Sequence, residues 1–278
     1  VSALADAFAA ARAEGRAALV GYLPAGYPSY EGAVAAFAAM VEAGVDVVEV
    51  GLPYSDPLMD GPTIQEAVDA ALRTGTRTAD VLRTVAAVAA TGVPTVVMTY
   101  WNPVDHYGVE RFAADLAAAG GAGAITPDLL PEEAADWIAA ATARRLDPVF
   151  LVAPSSSQQR LRRVAEVTRG FVYAASTMGV TGARESVSNR AGELVARVRE
   201  VTDLPVAVGL GVGSGGQAAE VAAYADGVIV GSAFVRRLLD APSESAGAAA
   251  VGELAAELAA GVRSGRPVLT PDIWRRNR

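Results

Sequence analysis

Eight short runs rich in valine, isoleucine and leucine recur along this sequence, each followed by a stretch with helical spacing, and none reads as a hairpin. This alternation limits the possible folds more than any other feature. Strands that are apolar throughout, rather than alternately polar, are covered on both faces, and the helices between them supply the crossovers that parallel strands need. The runs are ALVGYLP from Ala18, Val45 to Val50, PTVVMTYWNP from Pro94, GAITPD, DPVFLVAP, FVYAAS, LPVAVGLGV and GVIVGSA. Eight strands alternating with helices are the arithmetic of a (β/α)8 TIM barrel, an α/β fold whose usual size matches 278 residues. A doubly wound open sheet is the alternative. No domain boundary is visible, so residues 1–278 are expected to form a single barrel domain with extra N-terminal and loop helices.

Local signals set the expected element boundaries. Leu4, Ala5, Phe8 and Ala11 give residues 3–13 an amphipathic pattern that suits a short helix plugging the barrel floor. A helix after Ser29 uses Val34, Phe37 and Val41 and stops at Gly44. Thr63 and Glu66 spell a capping box for a helix ending near Gly75, and another helix runs from about Thr78 to Thr91. A helix with Phe112 and Leu116 stops at Gly120, and Pro131, Glu132 and Glu133 mark a further N-terminus. APSESAG, residues 241–247, separates a short helix from a final alanine-rich one.

Composition narrows the chemistry. A formal charge of −8 and a pI near 4.8 argue against a nucleic-acid or acidic-membrane partner, because either requires a basic face. The chain has no cysteine, which removes disulfides and thiolate chemistry, and His106 is its one histidine. His106 is expected in a loop as a solvated side chain, and no metal site is expected. All 23 basic residues are arginine, so Schiff-base catalysis, lysine-bound pyridoxal phosphate and the Walker P-loop are excluded. No stretch has the length of a membrane span and no signal core opens the chain, so a cytoplasmic location is expected.

Glu49 is the odd residue in the second run, flanked by Val45, Val47, Val48 and Val50. A buried charge needs a partner or a purpose. One reading pairs it with an arginine across the core, yet no arginine lies between Arg16 and Arg73. The other makes it an acid/base: burial raises a carboxyl pKa toward neutrality, which suits a group that both gives and takes a proton. Asp56 and Asp60 follow in a loop held by Pro53, Pro57 and Pro62, where parallel α/β folds collect their catalytic groups.

Two glycine-rich turns, VGLGVGSGG around Gly211 and VIVGSAF around Gly231 and Ser232, occupy the last two strand-to-helix connections, where barrels commonly hold phosphate. STMGVTGARES, residues 176–186, reads as a lid over a substrate, with Gly182 able to donate its N–H to the phosphate. Tyr22, Tyr100, Tyr173 and Leu210 sit at strand ends, where they are placed to wall a pocket for a flat ring.

EVGLPYSDPLMDGPTIQ, GFVYAASTMGVTG, VGLGV and VIVGSAFV together resemble the tryptophan synthase alpha subunit family, over roughly Leu19 to Val235. The resemblance implies a TIM barrel that cleaves indole-3-glycerol phosphate to indole and glyceraldehyde 3-phosphate. It implies no cofactor in this chain, and a beta subunit partner that carries pyridoxal phosphate, in an alpha2beta2 heterotetramer. By motif, Glu49 would be the acid/base and Asp60 would hold the indole N–H. Tyr173 would be the pocket tyrosine, Thr181 the lid threonine, and Gly182, Gly211, Gly231 and Ser232 the phosphate donors. Pro53 and Asp56 would face the beta subunit. Tyr27 departs from the aspartate common in the family, which bears on the first loop's contacts and not on the chemistry.

Three rivals stand beside this reading. A sugar-phosphate isomerase or epimerase on the same barrel would normally recruit a lysine, a cysteine or metal-binding histidines. A stand-alone indole-3-glycerol-phosphate lyase would act without the partner. A non-catalytic regulatory subunit would bind the phosphate ligand and only switch its partner.

Overall fold

The computed structural model describes residues 2–176, 184–209 and 211–265, with backbone alone at 184–189. Its nine strands are β1 (Ala18–Pro24), β2 (Val47–Gly51), β3 (Thr95–Met98), β4 (Gly123–Ile125), β5 (Asp147–Val149), β6 (Leu151–Val152), β7 (Val172–Ala175), β8 (Val206–Gly209) and β9 (Gly227–Val230). They form one sheet in the order β5-β4-β3-β2-β1-β9-β8-β7-β6, and every pairing is parallel. β5 and β6 are consecutive halves of one strand separated by Phe150, so the sheet returns to its start and closes an eight-stranded barrel.

The barrel interior follows from the two-residue period of a strand. Val20, Val47, Val96, Phe171, Ala207 and Ile229 fill the lower layer, with Leu4, Phe8 and Ala11 of α1 (Ala3–Ala13) pressed against them. The expected floor plug is therefore present, and Phe8 meets Phe171 at 5.1 Å between ring centroids. Two residues further along the same strands come Tyr22, Glu49, Met98, Tyr173, Gly209 and Gly231, all at the mouth. At the lower end, Arg16 clamps Asp46 through two contacts of 2.6 and 2.8 Å, and the same carboxylate accepts the Leu19 N–H at 2.8 Å.

The outer layer comprises α2 (Tyr30–Glu42), α3 (Pro62–Arg73), α4 (Thr78–Ala89), α5 (Trp101–Tyr107), α6 (Val109–Ala118), α7 (Ala135–Arg144), α8 (Gln158–Val167), α9 (Arg184–Arg199), α10 (Gly215–Ala222), α11 (Ser232–Leu239) and α12 (Glu244–Ser264). Ser29 caps α2 as expected, accepting the Gly32 N–H at 3.0 Å. Four local expectations are corrected. α3 starts at Pro62 with Gly61 as its cap and no side-chain cap bond, because proline is pre-shaped for a helix's first position; the Thr63 hydroxyl instead accepts from Arg236 at 2.8 Å. The third strand ends at Met98, and Trp101 opens α5, whose first turn tolerates Pro103. His106 therefore lies in the last turn of α5 rather than in a loop, though exposed as expected. Pro131 shapes a turn closed by the Glu133 N–H on the Leu130 carbonyl at 2.9 Å, and α7 begins only at Ala135.

Candidate active site

The C-terminal mouth of the barrel opens into a cavity of about 610 Å³. Glu49 stands in its wall at 1% exposure, and its Oε1 has no hydrogen-bond partner. The arginine pairing is overturned: Arg16 is committed to Asp46 and Glu14 at the opposite end of the strands. With burial as the cause, the Glu49 pKa is pushed up to about 8.

Asp60, on the loop between β2 and α3, also lines the cavity. Burial raises its pKa, and a hydrogen bond from Tyr100 opposes that rise. The Tyr100 hydroxyl donates to Asp60 Oδ1 at 3.0 Å and accepts the Met59 N–H at 2.9 Å. The loop is further held by Gln65, whose Nε2 donates to the Asp60 carbonyl at 2.7 Å. Tyr100 is thus brought to the site as the group that fixes Asp60, not among the side chains lining the cavity.

Tyr22 and Tyr173 both line the cavity, in lanes that glycines keep clear. A Cβ at Gly51 would collide with the Tyr22 hydroxyl, and one at Gly209 would lie 2.7 Å from that of Tyr173. Burial first, with the negative charges of Asp60 and Glu49 adding, holds both phenols well above their ordinary pKa, so both stay protonated.

Gly211, Gly231 and Ser232 complete the cavity on its β8 and β9 side. The two helices that start there differ. At α10 the Gly215 N–H is taken by Glu257 Oε1 at 2.7 Å and the Gln217 N–H by Ser214 Oγ at 3.3 Å, while Gln217 Oε1 takes the Gly213 N–H just before the helix at 2.8 Å. α11 begins at Ser232 with Gly231 as its cap and no side-chain cap bond, so its first-turn amides are left for a ligand. Thr181, Gly182 and Leu210 lie outside the described residues.

Sequence reasoning missed Met59, Ile64, Met98, Ile229, Ser155, Ser176 and Arg190 in the lining. Met98 had a signal, since it ends a strand on the same inward face as Glu49 in the neighbouring strand; Arg190 belongs to no motif. Pro53 is buried in the loop after β2, while Asp56 is exposed and accepts a hydrogen bond from Ser55 at 2.6 Å. Among the described residues no group of three or more His, Cys, Asp and Glu side chains is placed to hold a metal ion.

A buried weak acid, a second carboxylate and an uncapped helix terminus lining one cavity suit proton transfer on a phosphorylated substrate. Comparison with known proteins agrees. The family profile described as "Tryptophan synthase alpha chain" matches residues 8–263. The tryptophan synthase alpha chain of Salinispora tropica is 63% identical over 267 residues, covering 96% of this chain and all of that one. A structure of Mycobacterium tuberculosis tryptophan synthase is 58% identical with a TM-score of 0.88, covering 95% of this chain and 99% of that one. The crystal structure of the alpha subunit from Legionella pneumophila str. Paris, 30% identical, still superposes with a TM-score of 0.85 over 94% of this chain and 98% of that one. This chain belongs to the tryptophan synthase alpha chain family.

Proposed function

We propose that this chain is a carbon–carbon lyase that performs the alpha reaction of tryptophan synthase, the retro-aldol cleavage of indole-3-glycerol phosphate to indole and glyceraldehyde 3-phosphate. The observation that carries the reading is Glu49, a buried carboxyl with an unbonded oxygen in a cavity it shares with Asp60. With its pKa near 8 it is protonated at neutral pH and can deliver that proton to indole C3. The ring nitrogen then becomes cationic, and Asp60, held by Tyr100, accepts its N–H and offsets the charge. Breaking the bond from C3 to the glycerol carbon returns its electron pair to the ring and restores the aromatic system. The hydroxyl on that carbon loses its proton to the Glu49 carboxylate as the aldehyde forms. The proton count closes on one residue, and the tautomerised indole acts as the electron sink that a lysine iminium provides elsewhere.

The phosphate lies against Gly211, Gly231, Ser232 and the first turn of α11, and by family motif Gly182 is a further phosphate donor and Thr181 the lid threonine. Tyr22 and Tyr173 flank the substrate. The indole passes to a beta subunit carrying pyridoxal phosphate, in an alpha2beta2 assembly in the cytoplasm, and Pro53 and Asp56 face that partner. Among the described residues no helix is long and apolar enough to cross a membrane. The test is indole release from indole-3-glycerol phosphate by the parent chain and by Glu49→Gln, each with and without a beta subunit. The expected result is release by the parent, increased by the partner, and a loss of at least about 100-fold in the variant. Full parental activity without any effect of the partner would favour a stand-alone lyase. A parent that binds the phosphate ligand but never releases indole would favour a regulatory subunit.

A further inference from the structure

Among the polar groups at the mouth, the hydroxyl of Tyr22 has no task in the acid/base scheme. Its ring runs along the cavity wall from Gly231, where a Cβ would lie 3.2 Å from Cδ1, to Gly51, where a Cβ would collide with the hydroxyl. The ring therefore spans from the cap of α11 to the strand that carries Glu49, and Tyr22 is the direct register partner of Glu49 across β1 and β2. The phenol is buried at 8% exposure, and among the described residues nothing hydrogen-bonds its oxygen, whereas the Tyr100 hydroxyl is engaged twice. A wall for a flat ring needs no oxygen, and a hydroxyl at the cavity wall that no described protein group engages is available to a ligand. Held protonated by its surroundings, it is a donor without an acceptor.

We propose that the Tyr22 hydroxyl contacts the substrate as a hydrogen-bond donor to a hydroxyl of the glycerol chain, holding that chain beside Glu49. This rests on the substrate reading above. A chain tethered by its phosphate at α11 and by its indole at Asp60 must cross the Tyr22 ring, and its hydroxyls are the substrate's acceptors in that stretch. The apolar ring and the polar tip then serve different parts of one ligand.

The test compares two ligands in a background that binds without turnover. Glu49→Gln and the double variant Glu49→Gln/Tyr22→Phe are titrated calorimetrically with indole-3-glycerol phosphate and with its analogue carrying a plain propyl phosphate chain. Losing one neutral hydrogen bond should weaken binding of the glycerol ligand by about three- to tenfold. The propyl analogue should bind both proteins equally, which also controls for damage to the fold. Equal losses for both ligands would overturn the proposal by assigning the hydroxyl to the carboxylates or the packing, and no loss for either would overturn it outright. If Glu49→Gln binds neither ligand, the substrate reading fails and this proposal with it. A selective loss in the presence of parental lyase activity supports both.

Discussion

Glu49 concentrates the chemistry and also a cost in stability. Between its ordinary value near 4.5 and about 8, the folded chain keeps a proton on this carboxyl that the unfolded chain has lost. Folding stability therefore falls as pH rises through that window, with no effect below about 4.5 and the full loss above about 8. A Glu49→Gln variant, neutral at every pH, should match the parent's melting temperature near pH 4.5 and exceed it increasingly up to pH 8. The gap should reach the order of a few kcal/mol. Thermal melts across that range check it, and parallel curves would mean that the carboxylate is ionised and partnered in the fold. Glu49 was legible in the sequence because a lone charge inside a run of valines is costly unless used. The task of Tyr100 was not legible, because its hydroxyl reaches Asp60 across 40 positions of sequence and no local pattern encodes that contact.

At the scale of elements, the eight apolar runs announced the barrel, and α1 announced its floor through Leu4, Phe8 and Ala11. Boundaries were harder where proline has two uses. Pro62 starts a helix one residue before the expected cap, while Pro131 shapes a turn and leaves the helix to begin at Ala135. Each is a legal place for a fixed φ, and only tertiary packing chooses between them. The role of α1 leads to a prediction. Phe8 is 3% exposed and stacks on Phe171 under the inward layer that carries the mouth residues above it. Phe8→Ala should open a cavity costing about 3 to 5 kcal/mol, read as a lower denaturant midpoint with an unchanged slope. A fall much smaller than this would show that α1 is an attached cover rather than part of the core.

Considered as a whole, the molecule carries a formal charge of −8, yet among the described residues three large apolar side chains are exposed, and all three lie at one end. Leu58 (77% exposed) and Met59 (50%) sit in the loop after β2, and Leu130 (46%) sits in the connection after β4, so all project from the rim where the cavity opens. Scattered singly such residues mean little, but gathered beside an active-site mouth they fit a surface that a partner covers. The loop that holds Leu58 also holds Pro53, Asp56 and Asp60, so a partner seated on it would touch the chain segment that positions the second carboxylate. If that partner is the beta subunit, Leu58→Ser combined with Leu130→Ser should weaken its binding by at least about tenfold, the equivalent of about 1.4 kcal/mol from two buried leucines. Calorimetric titration of the double variant with the beta subunit measures this, with circular dichroism confirming an intact fold. Binding as tight as the parent's would place the partner on another face, and any increase in indole release on adding it would then have to reach Asp60 through the barrel rather than through this loop.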